Sequence, residues 1–213
     1  MKLPDYAELR CISNFTFLRG ASHAEELVER AQALGYRALA LVDECSLAGV
    51  VRAHVAAKKH GLPLLVGSQF RVQCDTPFTL IVLACNLNGY GNLCEFITHL
   101  RRTSPKGSYH LTLDAIRAEA LADCVVIAVP DRDSAQDPMD TTARWLLQHF
   151  IGRCWLGVTQ LRRLDDEMLL HKLRQSSALT AVPLVAVGDV HMHVRSRKPL
   201  QDVLTATRIG QPL

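Results

Sequence analysis

Short apolar runs alternate with amphipathic stretches along nearly the whole chain, and this alternation narrows the possible folds more than any other feature. The runs "ALALVD", "PLLVG", "FTLIVLAC", "CVVIAVP", "CWLGVTQ" and "PLVAVGDVH" are too short and too apolar for surface helices. They read as buried strands. A first strand covers Ala7 to Ile12, and "QFRVQ" reads as a further strand after "PLLVG". Helical patterns lie between them. In "SHAEELVERAQALG", Leu27, Ala31 and Leu34 recur at helical spacing. Ser22 is the predicted N-cap, with Glu25 at the capping-box position and Gly35 just past the end. "LAGVVRAHVAAKKHG" closes on Gly61, and "GYGNLCEFITHLRR" puts Leu93, Phe96, Ile97 and Leu100 on one face. "TSPKGSYH" is a loop, and "TLDAIRAEA" reads as a short helix with Thr112 as its cap. "PMDTTARWLLQHF", "RRLDDEMLLHKLRQSSALT" (predicted to be the longest helix) and "RKPLQDVLTATRIG" complete the set.

Strand followed by helix, again and again, predicts an α/β fold with a mostly parallel sheet covered by helices. A closed barrel and an open doubly wound sheet both fit, and periodicity does not choose between them. With 213 residues, 48% of them apolar and 21% charged, the chain reads as a single domain over 1–213 with a sizeable core. A formal net charge of +3 gives no argument for nucleic-acid binding. The seven cysteines are scattered and form no Cys-x-x-Cys pair, so zinc ribbons and disulfide scaffolds are set aside. Free thiols in a reducing cytoplasm are the economical reading. No Gly-x-Gly-x-x-Gly or Walker loop follows a strand, which leaves the usual nucleotide sites unsupported. No apolar run approaches a membrane span, and "MKLPDYAELR" lacks a signal-peptide core, so a cytoplasmic protein without membrane contact is expected.

In strand–helix folds of this kind, functional groups gather at the C-terminal strand ends. Those ends offer Arg10-Cys11-Ile12, Asp43-Glu44, Gly67-Ser68-Gln69, and the "GDVHMH" segment with Asp189 and His191. An aspartate and two histidines, Asp189, His191 and His193, stand at alternating positions after an apolar run, a pattern with which metal sites at strand ends often begin.

The stretches "LRCISNFTFLRGAS", "YRALALVDECSLAGVVRAH", "PLLVGSQF", "LIVLACNLNGYGNLCEFIT" and "GDVHMHVRSRKPLQDVLTATR" resemble the polymerase-and-histidinol-phosphatase (PHP) domain of bacterial C-family DNA polymerases. Within that family they are most similar to the error-prone, ImuC-type branch of translesion synthesis and damage-induced (SOS) mutagenesis. The resemblance runs from about Tyr6 to about Gly210 and implies an N-terminal domain whose polymerase core is absent from this sequence. It implies a distorted barrel of about seven strand–helix units, a (β/α)7 arrangement. It also implies, for active members, metal ions at the strand ends that hydrolyse phosphoesters.

Carried over position by position, the family's metal-ligand motifs are largely replaced. The first His-x-His falls on Arg10 and Ile12, and the next acidic ligand on Arg19. The Thr-Asp-His motif reads Val42-Asp43-Glu44, and the glutamate of Gly-x-Glu falls on Gln69. A further histidine falls near Thr79 and another ligand near Pro130, whereas Asp189 and His191 are retained. A guanidinium has no lone pair to offer and isoleucine has no donor atom. A hydrolytic ion needs three or more protein ligands and an open position for water. The expectation is therefore no catalytic residue, no bound metal and no cofactor here. The remnant positions are Asp43, Glu44, Asp189 and His191, with Arg10 pairing with Asp189 or Glu44 to fill the pocket. Mg2+ would belong to the parent polymerase core.

The expected role is a structural and interaction module for the rest of the polymerase chain and for other proteins of the mutagenic complex. Two alternatives stay open. One is a single-metal phosphoesterase or exonuclease built from Asp189 and His191 with Asp43 and Glu44. The other is DNA contact through the basic clusters Lys58-Lys59, Arg101-Arg102, Arg162-Arg163 and Arg195-Arg197-Lys198, although a charge run is usually a solvated face. His193 reads as a polar loop residue, Cys11 and Cys45 as small buried residues, and Trp145, Trp155, Phe96 and Phe150 as core.

Overall fold

The structure is a computed structural model that describes residues 5–213. Its elements are β1 (Ala7–Cys11), α1 (Ala24–Ala33), β2 (Ala38–Leu41), α2 (Val50–His60), β3 (Leu64–Val72), β4 (Phe78–Ala84), α3 (Leu87–Arg102), β5 (Cys124–Pro130), α4 (Gln136–His149), β6 (Cys154–Val158), α5 (Asp166–Thr180), β7 (Leu184–Ala186) and α6 (Lys198–Ile209). This is the α/β alternation predicted from the apolar pattern. The chain divides into two compact units, one reaching to Ser68 and resuming at Gly188–Leu213, the other Gln69–Val187.

In the first unit β1, β2 and the start of β3 pair in parallel, with Ala7 opposite Ala38 and Leu39 opposite Leu64. Helices α1 and α2 cover this layer. Their contact is built from Leu27, Val28 and Ala31 against Ala53, Ala56 and Ala57, together with Leu39 and Leu41. The small alanines let the two helices approach closely, and each buried Leu contributes roughly 1.5–3 kcal/mol. α1 does not start as the sequence suggested. Its N-cap is His23, whose amide donates to Glu26 Oε2 at 2.8 Å, and Ser22 is engaged elsewhere. Its Oγ accepts the His193 amide at 2.9 Å and meets His193 Nδ1 at 2.8 Å. Gly35, at φ +73°, ends the helix as expected.

In the second unit β4 and β5 are antiparallel, with Ile81 opposite Ile127, while β5, β6 and β7 run parallel. Leu93, Phe96 and Leu100 of α3, Met139 and Leu146 of α4, and Leu173 of α5 are buried on these strands. Phe150 is also buried, but Trp145 and Trp155 are only half-buried. "PLLVG" and "QFRVQ" form one continuous strand, β3. The longest helix is α3, with 16 residues against 15 for α5.

"TLDAIRAEA" is not a helix but two single 3-10 turns, Leu113–Ala115 and Glu119–Leu121. Arg153 donates to Ala118 O at 2.7 Å within this stretch and to Leu121 O at 2.6 Å and Cys124 O at 2.9 Å just beyond it. The last strand is also shorter than its apolar run. β7 stops at Ala186, because Gly188 gives its amide to Glu8 Oε1 at 2.8 Å and Asp189 adopts φ +102°.

α3 begins where Asn86 Oδ1 accepts the Gly89 amide at 2.9 Å. A Cβ on Gly89 would lie 2.1 Å from the Asp123 carbonyl oxygen, whereas one on Gly91 would meet nothing within 4 Å. Gly89→Ala is expected to destabilise the fold by about 2 kcal/mol or more, because backbone must shift. Gly91→Ala is expected to be neutral or to add up to about 1 kcal/mol through helix propensity. Urea unfolding of the two variants checks the contrast.

Candidate functional site

The strand-end positions of the first unit converge on the segment that follows Gly188. Arg10 O accepts the amides of Asp189 at 3.2 Å and Val190 at 3.0 Å, and the Ile12 amide donates to Val190 O at 3.0 Å. The "GDVHMH" segment is thereby sewn to the end of β1, and the Ala21 amide adds a bond to His191 O at 2.8 Å. On this backbone frame Arg10 Nη2 lies 3.4 Å from Asp189 Oδ1, and His191 Nε2 lies 3.0 Å from the same oxygen. Both partners of the ion pair are mostly buried, with side-chain exposures of 14% and 27%. Arg19 Nη1 lies 3.2 Å from Glu44 Oε2. Arg10 thus meets Asp189, one of its two expected partners, and Glu44 meets Arg19.

Asp43 is tied into the turn that follows β1. It is 1% exposed, and its Oδ1 accepts the Ser13 amide and Thr16 Oγ1, each at 2.7 Å, while Oδ2 accepts Ser13 Oγ at 2.7 Å. Thr16 Oγ1 in turn accepts the Glu44 amide at 3.0 Å. Ser68 Oγ donates to the Asp43 carbonyl at 2.7 Å. This carboxylate pins the turn after β1 to the end of β2. Ile12 is buried, and so are Cys11 and Cys45, as expected of small strand-end residues. Burial pushes the Cys11 thiol well up, which removes its nucleophilic form. Gln69, buried on β3, and Thr79, opposite Val129 on β4, belong to the second unit.

One carboxylate escaped the motif comparison. Glu8 on β1 is 2% exposed and accepts from Arg10 N at 2.7 Å, Gly188 N at 2.8 Å and Tyr6 OH at 2.9 Å. A Cβ on Gly188 would lie 2.0 Å from Glu8 Oε2, so the glycine makes room for the carboxyl. The available signal was a glutamate within the short first strand, where only Cys11 is buried alongside it.

Electrostatics separates these acids. Burial opposes ionisation of Asp189, but the His191 hydrogen bond and the charges of Arg10 and Arg19 outweigh it and hold its pKa below the ordinary value. For Glu8 and Asp43 burial dominates and raises the pKa, and the hydrogen bonds they accept offset only part of it. Among the described residues, no three His, Cys, Asp or Glu side chains group together in a way that would hold a metal ion. No helix among them is long and apolar enough to cross a membrane.

The fold is the α/β type found in a candidate metal-dependent phosphoesterase of Bifidobacterium adolescentis, with a TM-score of 0.66, 14% identity and coverage of 99% of this chain and 100% of that one. An amidohydrolase from Chromobacterium violaceum, solved with bound sulfate and no metal, is similar over 87% of each chain, with a TM-score of 0.67 and 14% identity. Residues 8–151 match the PHP domain, and the chain belongs to that family. It is 51% identical over 98% of its length to an error-prone DNA polymerase of Dechloromonas aromatica, and 50% identical over 99% to one of Ralstonia nicotianae. It spans about a fifth of the length of these relatives, 20% and 21%.

Two measurements test this arrangement. In a double-mutant cycle, Arg10→Ala and Asp189→Asn are each expected to destabilise by about 2 kcal/mol, with coupling of about 1 kcal/mol or more. Additive losses would mean that the pair does not interact. For Glu8, a folded pKa above the ordinary 4.5 means that ionisation opposes folding, so stability falls as pH rises from 4.5 through the raised value. Glu8→Gln keeps an acceptor for both amides and removes that dependence. Its melting temperature relative to the parent is expected to rise over that window and to level off above it.

Proposed function

We propose that this chain is the PHP domain of an error-prone DNA polymerase acting in translesion synthesis and SOS mutagenesis, and that it serves as a structural and interaction module without phosphoesterase activity. The observation that carries the reading is the placement of two fixed cations among the remaining donors: Arg10 at 3.4 Å from Asp189 and Arg19 at 3.2 Å from Glu44. A guanidinium does not shed its proton to make way for an ion. Set ~4 Å from a dication at an effective dielectric of ~20, each costs several kcal/mol.

The donor chemistry does not fit a hydrolytic metal. Asp43 spends both carboxylate oxygens on Ser13 and Thr16, and Asp189 is shared by Arg10 and His191. What remains falls short of three ligands with an open position for water. The arginines instead neutralise the carboxylates from within the protein and hold the strand ends together. The partner implied by relatives five times as long is the remainder of a polymerase chain, whose own Mg2+ chemistry would lie outside this domain. Further proteins of the mutagenic complex and DNA would be met through that larger body.

Metal analysis of the purified protein, followed by a single-strand exonuclease assay with manganese or zinc, tests the proposal. The expected outcome is no stoichiometric metal and no activity sensitive to Asp189→Ala. Stoichiometric metal, with activity abolished by that substitution, would replace it with the single-metal phosphoesterase reading. Tight binding of primer–template DNA with a steep salt dependence would instead favour a DNA-contacting module.

A further inference from the structure

The second unit carries a cavity of about 380 Å³ that the strand-end chemistry does not use. Phe78, Leu113, Pro138 and Trp145 give it apolar and aromatic walls, and the exposed residues Asp75 and Asp137 also border it. The Trp145 ring is fixed by its neighbours: it stacks on His149 at 5.0 Å and tilts against Phe150 at 5.7 Å and Phe78 at 6.2 Å. Asp137 stands in the first turn of α4, where the helix dipole favours a carboxylate. Among the described residues, neither Asp75 nor Asp137 has an ion pair or a hydrogen bond through its carboxylate. The nearby Arg71 is committed to Asp131, at 2.6 Å through Nη1.

These features select among ligands. Two unpaired carboxylates repel phosphates and nucleotides. Apolar walls offer nothing to a hydrated metal ion. Aromatic walls with acidic residues beside them favour a cation that carries its own apolar surface. The volume falls within the range of small-ligand sites, which are mostly apolar with a few polar groups that orient the guest.

We propose that this cavity binds an organic cation with an apolar body: a guanidinium or ammonium side chain on a protein segment, or a free amine of the same chemistry. The site is independent of whether the strand ends hydrolyse phosphoesters.

Calorimetric titration of the chain with benzyltrimethylammonium, benzyl alcohol and benzoate tests charge selection, with the indole N–H resonance of Trp145 reporting the location. The cation is expected to bind about tenfold or more tighter than benzoate, and its affinity is expected to fall as salt is raised. The double variant Asp75→Asn/Asp137→Asn, at two exposed positions, is expected to weaken the cation about tenfold and leave benzyl alcohol unchanged. A short arginine-bearing peptide forms a further arm. Binding as tight as that of the free amine assigns the site to a protein segment, and binding of the amine alone assigns it to a small molecule. Equal affinity for all three probes, no effect of the double variant, or no shift at Trp145 would overturn the proposal.

Discussion

Asp43 is the point on which the first unit turns. Three donors from the turn after β1 close on one carboxylate at the end of β2, and each bond is 2.7 Å long. In a buried setting a carboxylate with its acceptor sites filled locks geometry, because releasing any one donor leaves a desolvated group behind. The turn it holds, Ser13 to Gly20, contains Arg19, and the neighbouring residue is Glu44. The same bonds that secure the fold therefore set where Arg19 and Glu44 meet. A close approach at Gly49, whose Cβ would lie 2.7 Å from Asp43 Oδ2, fits the start of α2 against the same group.

The proposed reading replaces an external charge with an internal one. A cluster of carboxylates needs a counter-charge to stay ionised when water is excluded. Bound ions supply it in metal-dependent sites. Here Arg10 and Arg19 supply it, and the lowered pKa of Asp189 shows that their field, with the His191 hydrogen bond, outweighs the burial of that group. At Glu8, in the same region, burial outweighs the three hydrogen bonds the carboxyl accepts, the Asp189 charge adds to it, and the pKa is raised. One small region thus keeps one acid charged and holds its neighbour towards the neutral form.

How much of this was legible beforehand depends on range. Strand and helix order came through because periodicity is a local property of the sequence. Asp189 and His191 could be singled out as a pair because they stand two residues apart after an apolar run, and their side chains lie 3.0 Å apart. The Asp43 clamp did not, since Ser13 and Asp43 are 30 residues apart and nothing near either announces the other. Ser22 looked like an N-cap, but its hydroxyl is claimed by His193, 171 residues away. The helix expected over Thr112 to Ala120 is instead two isolated turns, Leu113–Ala115 and Glu119–Leu121. At Ser22 and Asp43 the local pattern was silent because the partners come from far along the chain.

Glu8 and Gly188 stand 180 positions apart, yet the space for one is the missing side chain of the other. Neither site is free to drift alone. A bulkier residue at 188 becomes tolerable only after the acid at 8 has shrunk or left, and with that loss the two amides it satisfies must find other acceptors. Diversified libraries of this domain should therefore recover the two positions as a linked pair, inherited together or exchanged together.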